Sequence, residues 1–404
     1  MKANLTFPTV ATGIIPATST ALDRWALARI QHTVASARLR FVLWDGFELR
    51  SKTGPPVATI VFKTRQALFA WVWDAELNLG ETYMSGAVEI QGDLVAMLEA
   101  IYRALAGSKP RGWWLWQKSN SPRAAKENVH RHYDLGNDFY RLWLDRQMVY
   151  TCAYFPTPDA TLEDAQVAKM DLVCRKLRLK PGERVVEAGC GWGALALFMA
   201  KQYGVSARAF NISTEQIAYA RRRAKEQGLD DRVEFVDDDY RNLNGSYDAF
   251  VSVGMLEHVG RADFPMLGEV IARSLGEHGR GLLHFIGRNQ PAPLTPWIRK
   301  RIFPGAYTPT LREVFEDVLE PQGFSVLDVE NLRLHYAQTL EHWRQRFDGA
   351  SDQVLKMFDE PFVRAWRLYL AGSKAAFTTG AMQLFQIVFA RGGSNLVPWT
   401  RVEN

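Results

Sequence analysis

Three glycines at alternate positions, Gly189, Gly191 and Gly193, follow directly on Val185-Val186-Glu187-Ala188 and precede an apolar helical pattern from Ala194 to Tyr203. A β-branched pair, a glycine cluster and a helix-period run read as strand, tight turn and helix. Glycine belongs where a backbone bends sharply and a ligand lies against it, because a Cβ would obstruct both. The same three glycines add chain entropy to the unfolded state, so a turn that binds nothing is a poor use of them. The turn therefore predicts both a parallel α/β sheet and a bound small molecule.

Two cofactor patterns compete for it. A dinucleotide fingerprint can be read as Gly189-x-Gly191-x-x-Ala194, but that pattern asks for an acid about 20 residues on, to bind the ribose. The next strand ends instead in Ala209-Phe210-Asn211. An acid, Glu187, stands two residues before the first glycine. Glu-x-Gly-x-Gly-x-Gly resembles the pattern of methyltransferases that use S-adenosylmethionine (SAM).

The rest of the chain organises around this turn. Residues 22–35 look helical, and Leu39–Trp44 and Phe47–Arg50 read as a hairpin about Asp45-Gly46. Val57–Phe62 reads as a strand, and Arg65–Glu76 and Asp93–Ala106 as helices. Residues 1–107 are thus expected to form a small α+β domain, 108–126 a basic linker, and 127–404 the catalytic domain. In the last, strands are expected at 184–187, 205–210, 232–236, 247–253, 280–286 and 383–390. Ser213-Thr214-Glu215-Gln216 reads as a capping box opening a helix that ends near Gly228. Alternating strands and helices imply a doubly wound, Rossmann-like parallel sheet, with ligands beyond the carboxyl ends of its strands. Glu187–Gly193, Asn211, Asp237–Arg241, Glu257 and His284 all fall at such ends.

Cys152, Cys174 and Cys190 are too few and odd in number for a disulfide framework, which suits a reducing compartment. No apolar run approaches the ~18 residues of a membrane span. Lys2 and a mildly apolar start interrupted by Pro8 and Pro16 read as a frayed terminus rather than a signal peptide. The net charge is +5, unevenly placed. Between Arg103 and Arg131 seven basic residues meet only Glu127, and Arg111-Gly112-Trp113-Trp114-Leu115-Trp116-Gln117-Lys118 lies among them. Trp297-Ile298-Arg299-Lys300-Arg301-Ile302-Phe303 is a second such segment. Tryptophan beside cations suits an anionic lipid interface; tryptophans packed onto a domain face explain each segment equally well. No recognition motif accompanies the charge, so a nucleic-acid partner is not expected. His130 and His132 resemble a metal pair, but no further ligand spacing completes a site, and no metal is expected.

Several further segments carry chemistry: His132-Tyr133-Asp134-Leu135-Gly136-Asn137-Asp138-Phe139-Tyr140, Tyr150-Thr151-Cys152-Ala153-Tyr154-Phe155, Met255-Leu256-Glu257-His258-Val259-Gly260, Leu282–Gly287 and His335–Leu340. With them the whole chain resembles the cyclopropane fatty acid synthase family, which includes the mycolic acid cyclopropane synthases. The resemblance implies methyl transfer from SAM to the cis double bond of an unsaturated acyl chain, usually on an intact phospholipid. The resulting carbocation then loses a proton and closes to a cyclopropane, with bound bicarbonate as proton acceptor. The residues holding bicarbonate would be Cys152, Glu257, His284, Ile286 and Tyr336, with Cys152 and Ile286 acting mainly through their backbones. The SAM contacts would be Tyr150, Thr151, Gly189, Gly191, Asn211, Gln216 and Asp239-Tyr240-Arg241. Glu187 would meet the methionine amine, and Gly193 completes the turn. The resemblance also implies work at a phospholipid surface, with a homodimer left open. Together with the cysteine usage, it leads us to expect a cytoplasmic protein, peripheral on the inner face of the membrane.

That chemistry is physically coherent. An alkene is a weak nucleophile, so the methyl donor must be held close and in line. The cation must be kept from water and faced by aromatic rings, and Tyr133, Phe139, Tyr140, Tyr154, Phe155 and Tyr336 supply them. The chain departs from the family at Glu187 for Asp, Asn211 for Thr, Thr151 for Ser, Ala194 for a fourth glycine, and Ala306-Tyr307 in a loop expected near the lipid entrance. Two rival functions remain: transfer that leaves a methyl or methylene branch, and a lipid-binding protein with an inactive methyltransferase fold.

Overall fold

The computed structural model describes residues 18–51, 54–107 and 135–395. These fall into two compact units. The first comprises the amino-terminal residues together with 294–304 and 340–381. The second comprises the chain between them and the last strand.

In the first unit the helix Ala21–Thr33 starts at a full capping box. The Thr20 hydroxyl accepts from the Asp23 N–H, and the Asp23 carboxylate accepts from the Thr20 N–H. Asp23 is fully buried and also accepts from Arg65 Nε at 2.7 Å, so its charge is compensated. The expected hairpin forms as β1 (Leu39–Val42) and β2 (Glu48–Arg50). The parallel β3 (Ala58–Phe62) and antiparallel β4 (Val88–Gly92) extend it to the order β2-β1-β3-β4. The helix expected over 65–76 runs from Arg65 to Met84 but breaks at Asp74, whose carboxylate caps its second half through the Leu77 N–H.

The later segments complete this unit. Trp297 lies so close to Gly80 that a Cβ there would sit 2.2 Å from the indole. Its Nε1 is 3.2 Å from Met84 Sδ, and Arg301 grips Glu81 through both Nε and Nη2. The Trp297–Phe303 segment is therefore packed onto its own unit, not held out as a lipid-facing surface: Trp297 is buried, Arg301 is paired, and Phe303 meets the edge of Tyr369. The helix Glu360–Thr379 packs on the helices Arg65–Met84 and Leu94–Leu105. Its Arg364 donates to the carbonyls of Tyr83 and Val88. The other basic-aromatic segment, 111–118, lies outside the described residues, as do His130, His132 and Tyr133.

The second unit is a seven-stranded sheet. Its strands are β5 (Arg184–Ala188), β6 (Ser206–Asn211), β7 (Val233–Asp237), β8 (Tyr247–Val253), β9 (Leu275–Gly287), β10 (Phe324–Asn331) and β11 (Gln383–Arg391). Their order is β7-β6-β5-β8-β9-β11-β10. All pairings are parallel except those made by β11, which runs antiparallel between β9 and β10. The doubly wound α/β expectation is met, with apolar cores on both faces of the sheet. β9 begins earlier than expected, and β10 had no counterpart in the sequence reading. Its one wetted face and polar residues make it an edge strand without the continuous apolar run of β5 or β11.

Candidate functional site

The turn after β5 does what its glycines suggested. All three carry positive φ, from 52° to 84°. A Cβ on Gly191 would meet no protein atom within 4 Å, so the space beside it is open to a ligand. Gly193 serves a different purpose. A Cβ there would come within 2.6 Å of Phe235 and 2.8 Å of Ala220, so it lets the helix Ala194–Tyr203 pack closely, and it does not line the cavity.

That cavity lies at the carboxyl ends of β5, β6 and β7. It is bounded by Tyr150, Thr151, Lys169, Glu187, Gly189, Gly191, Asn211, Gln216, Asp238, Asp239, Tyr240, Arg241, Met255 and His258, among others. Ten of the eleven residues expected to bind the cofactor thus meet at one place. Three of them aim unpartnered polar atoms from buried positions: Glu187 Oε2, Gln216 Nε2 and Tyr240 Oη. Buried polar groups without partners are uneconomical in a native fold unless a ligand satisfies them. Glu187 sits 2% exposed, and burial lifts its carboxyl to about 7, offset in part by Lys169 and by the Ala196 N–H at the start of the following helix. A cationic ligand would reverse that shift and hold the carboxylate ionised.

The polar floor is built by neighbours. Ser213 caps its helix as expected by accepting from the Gln216 N–H at 3.4 Å, but the Gln216 side chain does not return to close the box. It accepts from Asn211 Nδ2 at 2.7 Å, and the same amide reaches the Gly191 carbonyl at 3.2 Å. Asn211 therefore locks the glycine turn and orients Gln216, whose free Nε2 faces the cavity. Asp239 accepts from the Arg241 backbone and guanidinium, both at 2.9 Å.

The wall presenting Tyr150–Cys152 is held from below. Asp145 is buried and accepts from the Gln147 and Val149 N–H groups, each at 2.8 Å. Between them Met148 adopts φ 62°, a strained value for a residue with a side chain. The helix Leu162–Lys176 adds Gln166 and Lys169, one turn apart. Gln166 donates to the Thr151 carbonyl at 2.8 Å, and Lys169 Nζ to the Thr151 hydroxyl at 2.9 Å. Tyr150 is walled by Tyr140 and Trp143, and Tyr140 packs on Trp192.

The five expected anion-site residues do not line this cavity. Each is buried or sits on the sheet beside it. Glu257, in the short helix Leu256–Val259 after β8, accepts from the Ile286 N–H at 2.5 Å, and its Oε2 is buried without a partner. Burial raises its carboxyl to about 7. His284 lies on β9 at 2% exposure, and burial drives its imidazole well below the usual range, so it is neutral. Its Nδ1 faces Gln386 Nε2 at 3.0 Å, which makes Nδ1 the acceptor and leaves the proton on Nε2, itself buried and unpartnered. Cys152 is fully buried, and burial pushes its thiol far above the thiolate range; it donates to the Ala153 carbonyl. It is no nucleophile. Tyr336 is buried in the first turns of the helix Arg333–Gly349. Its neighbours His335 and Thr339 tie that turn to the Cys152 segment, accepting from the Phe155 and Ala153 N–H groups at 3.1 and 3.0 Å.

Tyr307, expected near a lipid entrance, is instead core. It is 1% exposed, its hydroxyl donates to Glu313 at 2.7 Å, and its N–H supports the Glu257 carbonyl at 2.8 Å. Gln386, Lys169, Gln166, His258, His335 and Thr339 were absent from the expected site. Gln386 and Lys169 carried the only legible signals: an amide inside an apolar strand and a lysine on the buried face of a helix.

Comparison with known proteins places this geometry. Residues 120–387 match the family model described as mycolic acid cyclopropane synthetase, and residues 28–108 match a domain of unknown function. A probable fatty acid methyltransferase of Pseudomonas putida is 36% identical over 381 residues, spanning 90% of this chain and 95% of the relative. The cyclopropane-fatty-acyl-phospholipid synthase of Escherichia coli K12 is 38% identical over 335 residues, 80% of this chain and 85% of the relative. Among solved structures, the mycolic acid cyclopropane synthase CmaA1 complexed with SAH and CTAB superposes with a TM-score of 0.63 at 30% identity, covering 66% of this chain and 98% of that one.

Proposed function

Since the chain belongs to the mycolic acid cyclopropane synthetase family, and is thereby a SAM-dependent methyltransferase acting on fatty acyl chains, we propose that it cyclopropanates cis-unsaturated acyl chains of phospholipids, with bicarbonate as the proton acceptor. The observation that carries this reading is that two buried groups are each left unsatisfied, the neutral His284 Nε2–H on β9 and the Oε2 of Glu257, which is tied to the same strand through the Ile286 N–H.

SAM when bound supplies an electrophilic methyl group. Glu187, Gln216 and Tyr240 offer the buried polar atoms that its amino-acid and nucleoside parts require. The aromatic wall of Tyr140, Trp143 and Tyr150 keeps water from the reacting centre and presents ring faces suited to positive charge. No side chain nearby is a strong exposed base: Cys152 stays a thiol and His284 has its acceptor nitrogen occupied. That role is assigned to a small oxyanion. His284 Nε2–H donates, and Glu257, with a carboxyl near 7, donates in its protonated form. When the proton that leaves comes from the transferred methyl, the anion takes it and the C–H electron pair bonds to the cationic carbon, which closes the ring.

Work at a lipid surface draws support from the first unit. Its opening helix exposes Leu22 and Trp25, with the Arg29 guanidinium over the Trp25 ring, and its only carboxylate, Asp23, is buried. No helix among the described residues is long and apolar enough to cross a membrane.

The test is incubation of the protein with SAM, bicarbonate and vesicles of cis-unsaturated phospholipid, followed by proton NMR of the released fatty esters. High-field cyclopropyl signals are expected. Methyl or methylene branches, the second of which has the same mass as the ring product, would replace ring closure with the rival chemistry.

A further inference from the structure

Lys169 is one of the largest side chains among the described residues to be almost completely buried, and the site chemistry above gives it no task. It projects from the helix Leu162–Lys176 into the wall of the cofactor cavity, where Glu187 enters from β5. Its Nζ uses one donor on the Thr151 hydroxyl at 2.9 Å. An ammonium has three donors, so two remain for other acceptors. Burial lowers its pKa to about 8, with the nearby Asp145 and Glu187 carboxyls opposing the shift, so it is still largely cationic at neutral pH.

A buried cation and a buried acid in one cavity are an arrangement for a zwitterion. Neither charge is cheap to bury alone, and no salt bridge joins the two, since Glu187 Oε2 has no partner and Lys169 Nζ bonds Thr151. An α-amino acid brings one charge of each sign on a single carbon. Glu187 suits its ammonium, and the Thr151 hydroxyl, its orientation fixed by Lys169, stands beside a second charge of the sign its carboxylate needs. We propose that Lys169, acting with Thr151, is the positioning residue for the carboxylate of the cofactor's methionine end, opposite Glu187. This rests on the reading of the cavity as the SAM site and adds the group that orients the amino-acid tail, and through it the sulfonium, in that site.

The experiment is isothermal titration of wild type, Lys169→Met, Lys169→Arg and Thr151→Val with three probes: S-adenosylhomocysteine, its decarboxylated analogue, and 5′-methylthioadenosine, which lacks the amino-acid tail. Wild type should bind S-adenosylhomocysteine at least thirtyfold more tightly than the decarboxylated analogue. In Lys169→Met that ratio should fall below threefold, while the affinity for 5′-methylthioadenosine changes less than twofold. Lys169→Arg should restore part of the ratio, and Thr151→Val should reduce it without abolishing it. A Lys169→Met protein that loses all three ligands alike, or one that keeps the full ratio, would overturn the assignment. Failure of the wild type to bind any of the three would overturn the cofactor reading itself, and the assignment with it.

Discussion

Gln386 stands opposite His284 across the β9–β11 ladder, and its side-chain amide meets His284 Nδ1 at 3.0 Å. The antiparallel strand thereby selects the imidazole tautomer that can donate from Nε2. Gln386→Leu removes the selection while leaving an apolar side chain of similar bulk. Turnover should fall about tenfold, a loss of roughly 1.4 kcal/mol in transition-state stabilisation, with SAM affinity unchanged. Steady-state kinetics beside calorimetric binding will read the split, and an unaltered kcat would remove Gln386 from the chemistry.

Glu257 carries a charge that the fold resists. Its folded pKa of about 7 lies above the 4.5 of an unfolded chain, and burial is the cause. Between those values the folded state holds more protons than the unfolded one, so its contribution to stability falls as pH rises through the window from about 4.5 to 7. Glu257→Gln should raise the thermal midpoint above pH 7 by roughly 2–4 °C and cut turnover by about a hundredfold or more. Thermal scans at pH 5 and pH 8 test the first part; a lower midpoint at pH 8 would contradict it. Tyr336→Phe should likewise lower turnover far more than SAM affinity.

The Glu187 carboxyl, also near 7 in the free protein, should make SAM binding pH-dependent. A cationic ligand favours the ionised acid, so binding below pH 7 releases a proton and weakens by up to about tenfold per pH unit. Glu187→Gln should bind about tenfold or more weakly at pH 7.5 and lose the dependence between pH 5 and 7. Titrations in buffers of different ionisation enthalpy count the released proton; no proton release in wild type would refute the coupling.

At Gly193 the backbone is left-handed and the space for a Cβ is already filled by Phe235 and Ala220. Gly193→Ala should destabilise the protein by about 2–4 kcal/mol, from backbone strain together with overpacking. Gly191→Ala should instead fold normally apart from its backbone strain and lose SAM affinity, since its Cβ enters the ligand space. Denaturant titration and binding together separate the two glycines.

Binding to anionic vesicles at low salt, released as salt rises, should depend on the exposed face of the helix Ala21–Thr33. Trp25→Ala together with Arg29→Glu should abolish cosedimentation while leaving SAM affinity intact. Retention of the double variant would move the lipid surface elsewhere.

Much of this was legible before any coordinates. The β5 turn and the strands β5 to β9 and β11 follow from glycine placement, apolar runs and chain order, whereas most of the ten expected residues found at the cavity were named through the family resemblance. What escaped has physical reasons. β10 borrows its pairing from β11 and keeps one face wet, so its own sequence lacks a strand's apolar signature. Asn211 and Gln216 were read as ligand contacts, but their bond to each other depends on a distance no spacing rule supplies. Lys169 and Gln386 stand out as polar residues in apolar neighbourhoods, but pattern alone does not say what a buried polar group contacts. Trp297 shows a choice that pattern could not make: beside three cations it suited a lipid interface and a packed domain face equally, and Gly80 makes room for it inside its own unit.

That accommodation bears on how the protein is made. The unit begun by the first hundred residues needs Trp297 against Gly80 and Arg364 against Tyr83 and Val88 before its helices are covered. At translation rates of about 5–20 residues per second, the helices emerging early must wait roughly 15–55 s for the segment ending at Ala381. The helices of residues 65–105 are thus made long before the segments that cover them, and over that interval their apolar faces are open to aggregation unless a chaperone shields them.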